Sequence, residues 1–405
     1  MLLVVMLFGM AAALLVYGMV DTTSLAAQRD IRTQAALAQA KDALIGRAVS
    51  DSNRPGSLPC PDFDDGTLNP LNAPNDGIAD VMFGNDCPSY IGRLPWKTLG
   101  LPDLRDSDGE RLWYALSNNF RDDDSAQPIN SDTKGNRTVN HGSTAVVFTL
   151  EAAAVIFAPG ASLAAQIRDT VPALCPTNPA IVTPFARNLC AANYLDAAGV
   201  GANNAAAGEA GPFVSAQRSD TFNDRLLVIT TAELMTPVEQ RAVREIRTLL
   251  ESYKTASSDG VGPLCDCYPW ADNNFDGKSD LGATRGGPPL HRESDPLQPD
   301  ALPHKWDELA VGVPGWLKNN DWYKVIYYAV APAETASHSP ATTLTVDVVS
   351  KNVVLITPGP AVTGDGRPSM NWCNYVSDAL NCDSNDTFFT PSSIAYVRDR
   401  LATIP

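Results

Sequence analysis

Histidine and closely spaced cysteine pairs are scarce in this sequence. The 4 histidines (His141, His291, His304, His338) lie far apart and no CxxC occurs, so the usual zinc-site spacings are missing. There is no GxSxG, no HExxH and no phosphate-binding glycine loop, which removes the sequence signatures of several hydrolase and nucleotide-binding classes. Lysine and arginine form no cluster, and the net charge is −16. Such an acidic surface repels phosphate backbones, so no nucleic-acid partner is expected. Charge is absent altogether from Met1 to Val20; the first charged side chain is Asp21.

What is present is a globular composition, 44% hydrophobic and 19% charged, with 31 prolines and 28 glycines that imply many turns. At 405 residues the chain is long enough for two or three domains. Its 8 cysteines, an even number all outside the apolar N-terminus, favour disulfides formed in an oxidising compartment over reduced thiols. Local pairing is simplest: Cys60 with Cys87, Cys175 with Cys190 and Cys373 with Cys382, leaving Cys265 and Cys267 to be placed.

An uncharged helix over residues 1–20 would rise about 30 Å, the thickness of a bilayer core. The expectation is therefore a transmembrane helix, with a single-pass inner-membrane protein and a periplasmic or extracellular C-terminal bulk. A cleaved signal peptide competes with it, but no basic stretch precedes the apolar run. From Thr22 to Ser50 the pattern becomes amphipathic, with Ile31, Leu37, Leu44 and Ile45 among charged residues. One helix of about fifty residues is thus expected, ended by the Asn53-Arg54-Pro55-Gly56 turn.

The chain also resembles itself. Ala43-Leu44-Ile45 leading to Leu58-Pro59-Cys60-Pro61 parallels Thr248-Leu249-Leu250 leading to Leu264-Cys265-Asp266-Cys267. Arg111–Leu116 then matches Val325–Val330, Ala153–Gly160 matches Asn352–Gly359, Asn193-Tyr194 matches Asn374-Tyr375, and Asp224-Arg225-Leu226 matches Asp399-Arg400-Leu401. Several matches in nearly the same order predict an internal duplication. A second helix is expected from Thr236-Pro237-Val238-Glu239, and strands over 145–149, 154–158, 225–230, 325–330, 343–349 and 352–357. The fold class is α+β: a long N-terminal helix followed by antiparallel sheet, the unit repeated in tandem. The expected division is a span over 1–20, a first unit over 21–234 and a second over 235–405.

A long N-terminal helix packed on antiparallel sheet with a disulfide-closed loop resembles the type IV pilins and pseudopilins. Arg54-Pro55-Gly56-Ser57-Leu58-Pro59-Cys60-Pro61-Asp62 and Gly92-Arg93-Leu94-Pro95-Trp96 are similar to stretches of prepilin-like envelope proteins. The resemblance implies a non-enzymatic, membrane-anchored structural protein of a type IV pilus or type II secretion system, of the minor pilin type. It also implies other pilin-like subunits as partners through residues 1–20. The chain departs from the family at Val5, where pilins carry a glutamate, and in having two heads. The alternatives are a solitary anchored module binding a periplasmic or extracellular protein or glycan, and a periplasmic hydrolase using acid pairs such as Asp106/Asp108 or Asp122/Asp123.

One stretch has the spacing of a cation loop. Asp272, Asn274, Asp276, Lys278 (by its carbonyl) and Asp280 surround Gly277 in the register that begins a calcium loop, although Ala283 replaces the usual final acid. Asp62, Asp64, Asp65, Asn72, Asp76 and Asp80 offer oxygens at the comparable place in the first unit, in poorer register. Trp96, Trp113, Tyr114, Tyr327 and Tyr328 are expected to be packing residues.

Overall fold

Helix α1, Leu2–Ser50, is amphipathic in the computed structural model of the chain, and it buries a stripe of mostly small residues. The structure describes residues 2–63, 66, 69–82, 84–122, 127–142, 146–174, 185–198, 202–205, 212–258, 267–280, 282–290, 312–335, 343–361, 367, 371–376, 386–388 and 400–404, the side chains of residues 2–23, 146, 185, 198, 202, 256–258, 333 and 372 not among them. Two units assemble from separated stretches of chain. The first comprises Met1–Gly46, Leu58–Arg121 and Gly135–Ile229; the second comprises Arg47–Ser57, Asp122–Lys134 and Thr230–Pro405.

In the first unit, strands β1 (Ile91–Arg93), β2 (Trp113–Leu116), β3 (Arg137–His141), β4 (Val146–Ala158), β5 (Phe213–Ser215) and β6 (Arg225–Thr230) form one sheet. Its order is β1-β2-β4-β3-β5, with β6 also on β4; β3 and β5 run parallel, while β1–β2, β2–β4 and β3–β4 are antiparallel. Strand β4 joins two expected strands into one, because its first half pairs with β3 and its second with β2. On α1, Thr33, Ala36, Leu37, Ala40 and Leu44 recur at helical spacing and are buried. Three polar contacts fix the helix within the unit: Ser107 N donates to Thr33 Oγ1 (3.1 Å), Lys41 Nζ to the Val228 carbonyl (3.1 Å), and Arg225 pairs with Asp30 (2.8 Å). Trp113, Val155, Phe157 and Phe213 form the centre of the core.

In the second unit, helix α2 (Thr231–Ser258) buries Leu234, Val238, Ala242, Ile246, Leu249, Leu250 and Tyr253. It begins before the expected Thr236. Thr230 and Glu233 form a reciprocal cap, Thr230 N to Glu233 Oε2 (3.0 Å) and Glu233 N to Thr230 Oγ1 (3.3 Å), which leaves Pro237 inside the helix. Strands β7 (Arg285–Gly286), β8 (Tyr327–Val330), β11 (Val353–Thr357) and β13 (Arg400–Ile404) form an antiparallel sheet in that order. A smaller sheet places β9 (Leu344–Val346) between β10 (Val349–Lys351) and β12 (Thr387–Phe388). Tyr327, Val354, Ile356 and Phe388 pack between these strands.

The transmembrane expectation for residues 1–20 is corrected, and with it the inner-membrane single-pass placement and the membrane as a partner. Among the described residues no helix is long and apolar enough to cross a membrane. The described part of α1 carries Arg29, Asp30, Arg32, Lys41, Asp42 and Arg47, a density of charge that a hydrocarbon core does not accommodate. Helix α2 is no better, since its outer face is lined with arginine and glutamate. The side chains of residues 1–20 themselves lie outside the described residues.

Of the expected disulfides, Cys60–Cys87 is present with its Cα atoms 5.6 Å apart. Cys190, Cys267 and Cys373 are also disulfide-bonded; their partners, Cys175, Cys265 and Cys382 being the other cysteines, lie outside the described residues. Trp113, Tyr114, Tyr327 and Tyr328 are buried packing residues as expected, whereas Trp96 is only half-buried and lies against Gly77.

Candidate functional site

The five residues of the expected cation loop are brought together in a tight turn between α2 and β7. Asp272 anchors it through its backbone, exchanging hydrogen bonds with Gly287 (2.9 and 2.6 Å). Its side chain points into the loop, where Oδ2 accepts from Gly277 N (2.7 Å) and Oδ1 from Asn274 N (3.2 Å). Asn274 Oδ1 accepts from Asp276 N (2.9 Å), and Asp276 Oδ1 from Lys278 N (2.8 Å). Asp280 closes the turn, its Oδ2 accepting from Asn273 N (2.7 Å) and its Oδ1 from Asn274 Nδ2 (3.2 Å).

Two backbone features make this possible. Gly277 lies at φ 83° and Phe275 at φ 63°, the left-handed conformation that turns the chain back on Asp272. Gly286, on β7, passes so close to the loop that a Cβ there would lie 2.0 Å from the Asp272 carbonyl oxygen. Burial pushes the Asp272 carboxyl up to about 6, outweighing the amides of Gly277 and Phe275 that favour the charged form; the Asp276 charge raises it further.

The first unit contains a loop of the same construction, interrupted by an insertion after residue 63. Asp62 exchanges backbone hydrogen bonds with Arg93 (3.0 and 2.8 Å), and its Oδ2 and Oδ1 accept from Gly77 N (2.7 Å) and Asn75 N (2.8 Å). Asp76 Oδ1 accepts from Ile78 N (2.7 Å) and Asp80 Oδ2 from Phe63 N (3.1 Å). Asn75 and Gly77 lie at φ 56° and 82°, and a Cβ on Gly92 would lie 2.8 Å from the Asp62 carbonyl oxygen. Burial pushes Asp62 up to about 6 as well. Asn72 instead accepts from Val81 N (2.8 Å), while Asp64 and Asp65 lie outside the described residues. Spacing placed Asp62, Asp76 and Asp80 among the candidate oxygens but gave them a poorer register, because Asp62 is separated from Asn75-Asp76-Gly77-Ile78-Ala79-Asp80. The legible signal was the similarity of that stretch to Phe275-Asp276-Gly277-Lys278-Ser279-Asp280.

The donors fit a hard cation in type, being carboxylates, an amide oxygen and a backbone carbonyl. The geometry at hand uses them to hold the turn; among the described residues no group of three or more His, Cys, Asp or Glu is arranged to hold a metal.

Each unit also contains a half-buried arginine in an equivalent setting. In the first, Arg168 donates to the carbonyls of Asn193 (2.8 Å) and Gly160 (3.1 Å), lies 4.4 Å from the Tyr194 ring and pairs with Glu110. In the second, Arg367 donates to the carbonyls of Asn374 (3.1 Å) and Gly359 (2.9 Å), lies 4.9 Å from the Tyr375 ring and pairs with Asp132. These cations are consumed by structure. So is Asp106 of the expected acid pairs, whose carboxylate accepts from the amides of Asp108, Glu110 and Gly160. Asp123 lies outside the described residues. No known protein family, curated protein or solved structure matches the chain.

Proposed function

We propose that the chain is a non-enzymatic structural and interaction protein resembling the minor pilins of type IV pilus or type II secretion machinery, with a head made of two copies of one helix-plus-sheet unit. The observation that carries the pilin reading is helix α1 held within the first unit through Thr33 and Lys41, the latter on the Val228 carbonyl of β6, with Leu37 and Leu44 buried on the same helix, in a unit that also has a loop closed by Cys60–Cys87. In this reading the N-terminal part of α1 associates with the corresponding helices of other pilin-like subunits, and the acidic heads present surface to partners.

Four correspondences support the duplication. The strand order β1-β2-β4-β6 in the first unit is matched by β7-β8-β11-β13 in the second. Register follows suit: Trp113↔Phe157 and Tyr327↔Ile356 place Gly160 and Gly359 three residues beyond the paired position, both at φ 67°. The Asp62 and Asp272 loops, and the Arg168 and Arg367 clamps, then reproduce the same hydrogen bonds. We further propose calcium as a ligand of the loop formed by Asp272, Asn274, Asp276, Lys278 and Asp280.

The test of the subunit reading is site-specific cross-linking in the native host. A photo-reactive phenylalanine analogue at Phe8 should yield adducts with proteins that themselves begin with a long apolar helix. Adducts with no such protein would overturn it.

A further inference from the structure

We infer that Asp196 and Asp224 form a proton-operated latch that ties residues 194–198 and 202–204 to the 213–224 segment and so sets one wall of a cavity in the first unit. The two aspartates clasp each other reciprocally. Asp196 N donates to Asp224 Oδ2 (2.8 Å), while Asp224 N donates to Asp196 Oδ2 (3.1 Å), which also accepts from Asn223 N (2.6 Å). Asn204 Nδ2 donates to Asp224 Oδ2 (2.9 Å), and Gln166 Nε2 to Asp196 Oδ1 (2.8 Å). Three of the four carboxyl oxygens are thereby served by N–H groups. Asp224 Oδ1 is left buried with no such donor, in a side chain that faces the Asp196 carboxyl.

Two buried carboxylates in contact cannot both carry charge at ordinary pH, and a proton on Asp224 donated to Asp196 completes the set. Burial, then the Asp196 charge, hold the Asp224 carboxyl well above its usual range; burial also raises Asp196. The surrounding charges assign the proton. Arg168, itself paired with Glu110 (2.8 Å), attracts the ionised Asp196. Arg225, beside Asp224 on the chain, is engaged by Asp30 (2.8 Å). Arg218 and His141 line the cavity.

The latch matters because of what it borders. The cavity, about 750 Å³, is lined by Ala197 from one latched segment and by Ser215, Arg218, Phe222 and Asp224 from the other, with His141 on β3. The closure extends to Asn204, whose side chain bonds both the amide (2.7 Å) and the carbonyl (3.1 Å) of Val214. Because the folded pair keeps a proton that an unfolded aspartate has already lost, acid favours the latched form. Protection is complete at low pH and declines as the pH rises through the pair's titration.

Hydrogen–deuterium exchange of the full chain over a pH series that starts in the ordinary aspartate range and runs to the alkaline side, each rate divided by its intrinsic value, tests this. Peptides covering 194–205 and 213–224 should lose at least about tenfold in protection over that range, while peptides covering β2 do not change. In Asp224→Asn the side-chain amide replaces the shared proton, and protection should stay high throughout. Equal protection at both ends of the range in the unaltered chain would overturn the latch, with no need of the variant. So would an unchanged pH dependence in Asp224→Asn.

Discussion

Glu239 offers a direct measurement of what burial does to a charge in the second unit. Its side chain, on α2, is fully buried; Oε2 accepts from Arg400 on β13, and Oε1 has no hydrogen-bond partner. Desolvation prevails over the attraction of Arg400, the nearby Ser131 and Arg367, and carries the carboxyl from 4.5 up to about 7. A raised folded pKa means that the folded protein binds the proton more tightly than the unfolded chain. The stabilisation is thus complete below 4.5 and is lost as pH rises to 7. The rise corresponds to about 3 kcal/mol, with a slope no steeper than about 1.4 kcal/mol per pH unit for one proton. Urea unfolding of the unaltered chain and of Glu239→Gln at several pH values isolates this contribution, since glutamine keeps the shape and removes the titration. The stability difference between the two should change by about 3 kcal/mol over the window, with the unaltered chain losing ground as pH rises. A difference constant to within about 0.5 kcal/mol would show that Arg400 fully compensates the buried charge, refuting the reasoning.

Millimolar calcium should raise the melting temperature over that in EGTA by about 4 °C or more if affinity is in the micromolar range, and Asp276→Ala should abolish the rise; identical melting curves would remove the calcium proposal. Gly286→Ala should destabilise the second unit by about 2 kcal/mol or more, because its Cβ would collide with the Asp272 carbonyl oxygen at 2.0 Å; a loss under about 0.5 kcal/mol in thermal unfolding would show that β7 can move away at little cost.

Helix and strand positions were the most legible parts of the chain. Of the expected stripe, Leu37 and Leu44 are buried, Ile45 is half-buried and Ile31 is exposed, and β6 spans the expected 225–230. Trp113 and Tyr114 read as strand packing and are that. The start of α2 was misplaced because Thr236-Pro237 imitates a helix entry, while Thr230 and Glu233, an equally legible capping box, supply the actual one. The expected strand over 343–349 failed for another reason. Asp347 and Val348 take φ 46° and 66° to make a hairpin tip between β9 and β10, and neither residue type announces such a turn. The Asp196–Asp224 pair was invisible, since nothing in the spacing of two aspartates 28 residues apart indicates that they meet.

The assembly of the second unit from separated stretches bears on how a ribosome-tethered chain matures. Its first contributions, Arg47–Ser57 and Asp122–Lys134, emerge long before β13 closes its sheet at residues 400–404. Asn320 supplies the acceptor for the Ile129 amide (3.0 Å) and accepts in turn from Asn130 Nδ2 (2.9 Å), so these two residues wait for roughly two hundred further residues before their buried polar groups are answered. Release of an incomplete chain would therefore leave Ile129 and Asn130 without these partners. A gene truncated between the two units would not yield a clean half.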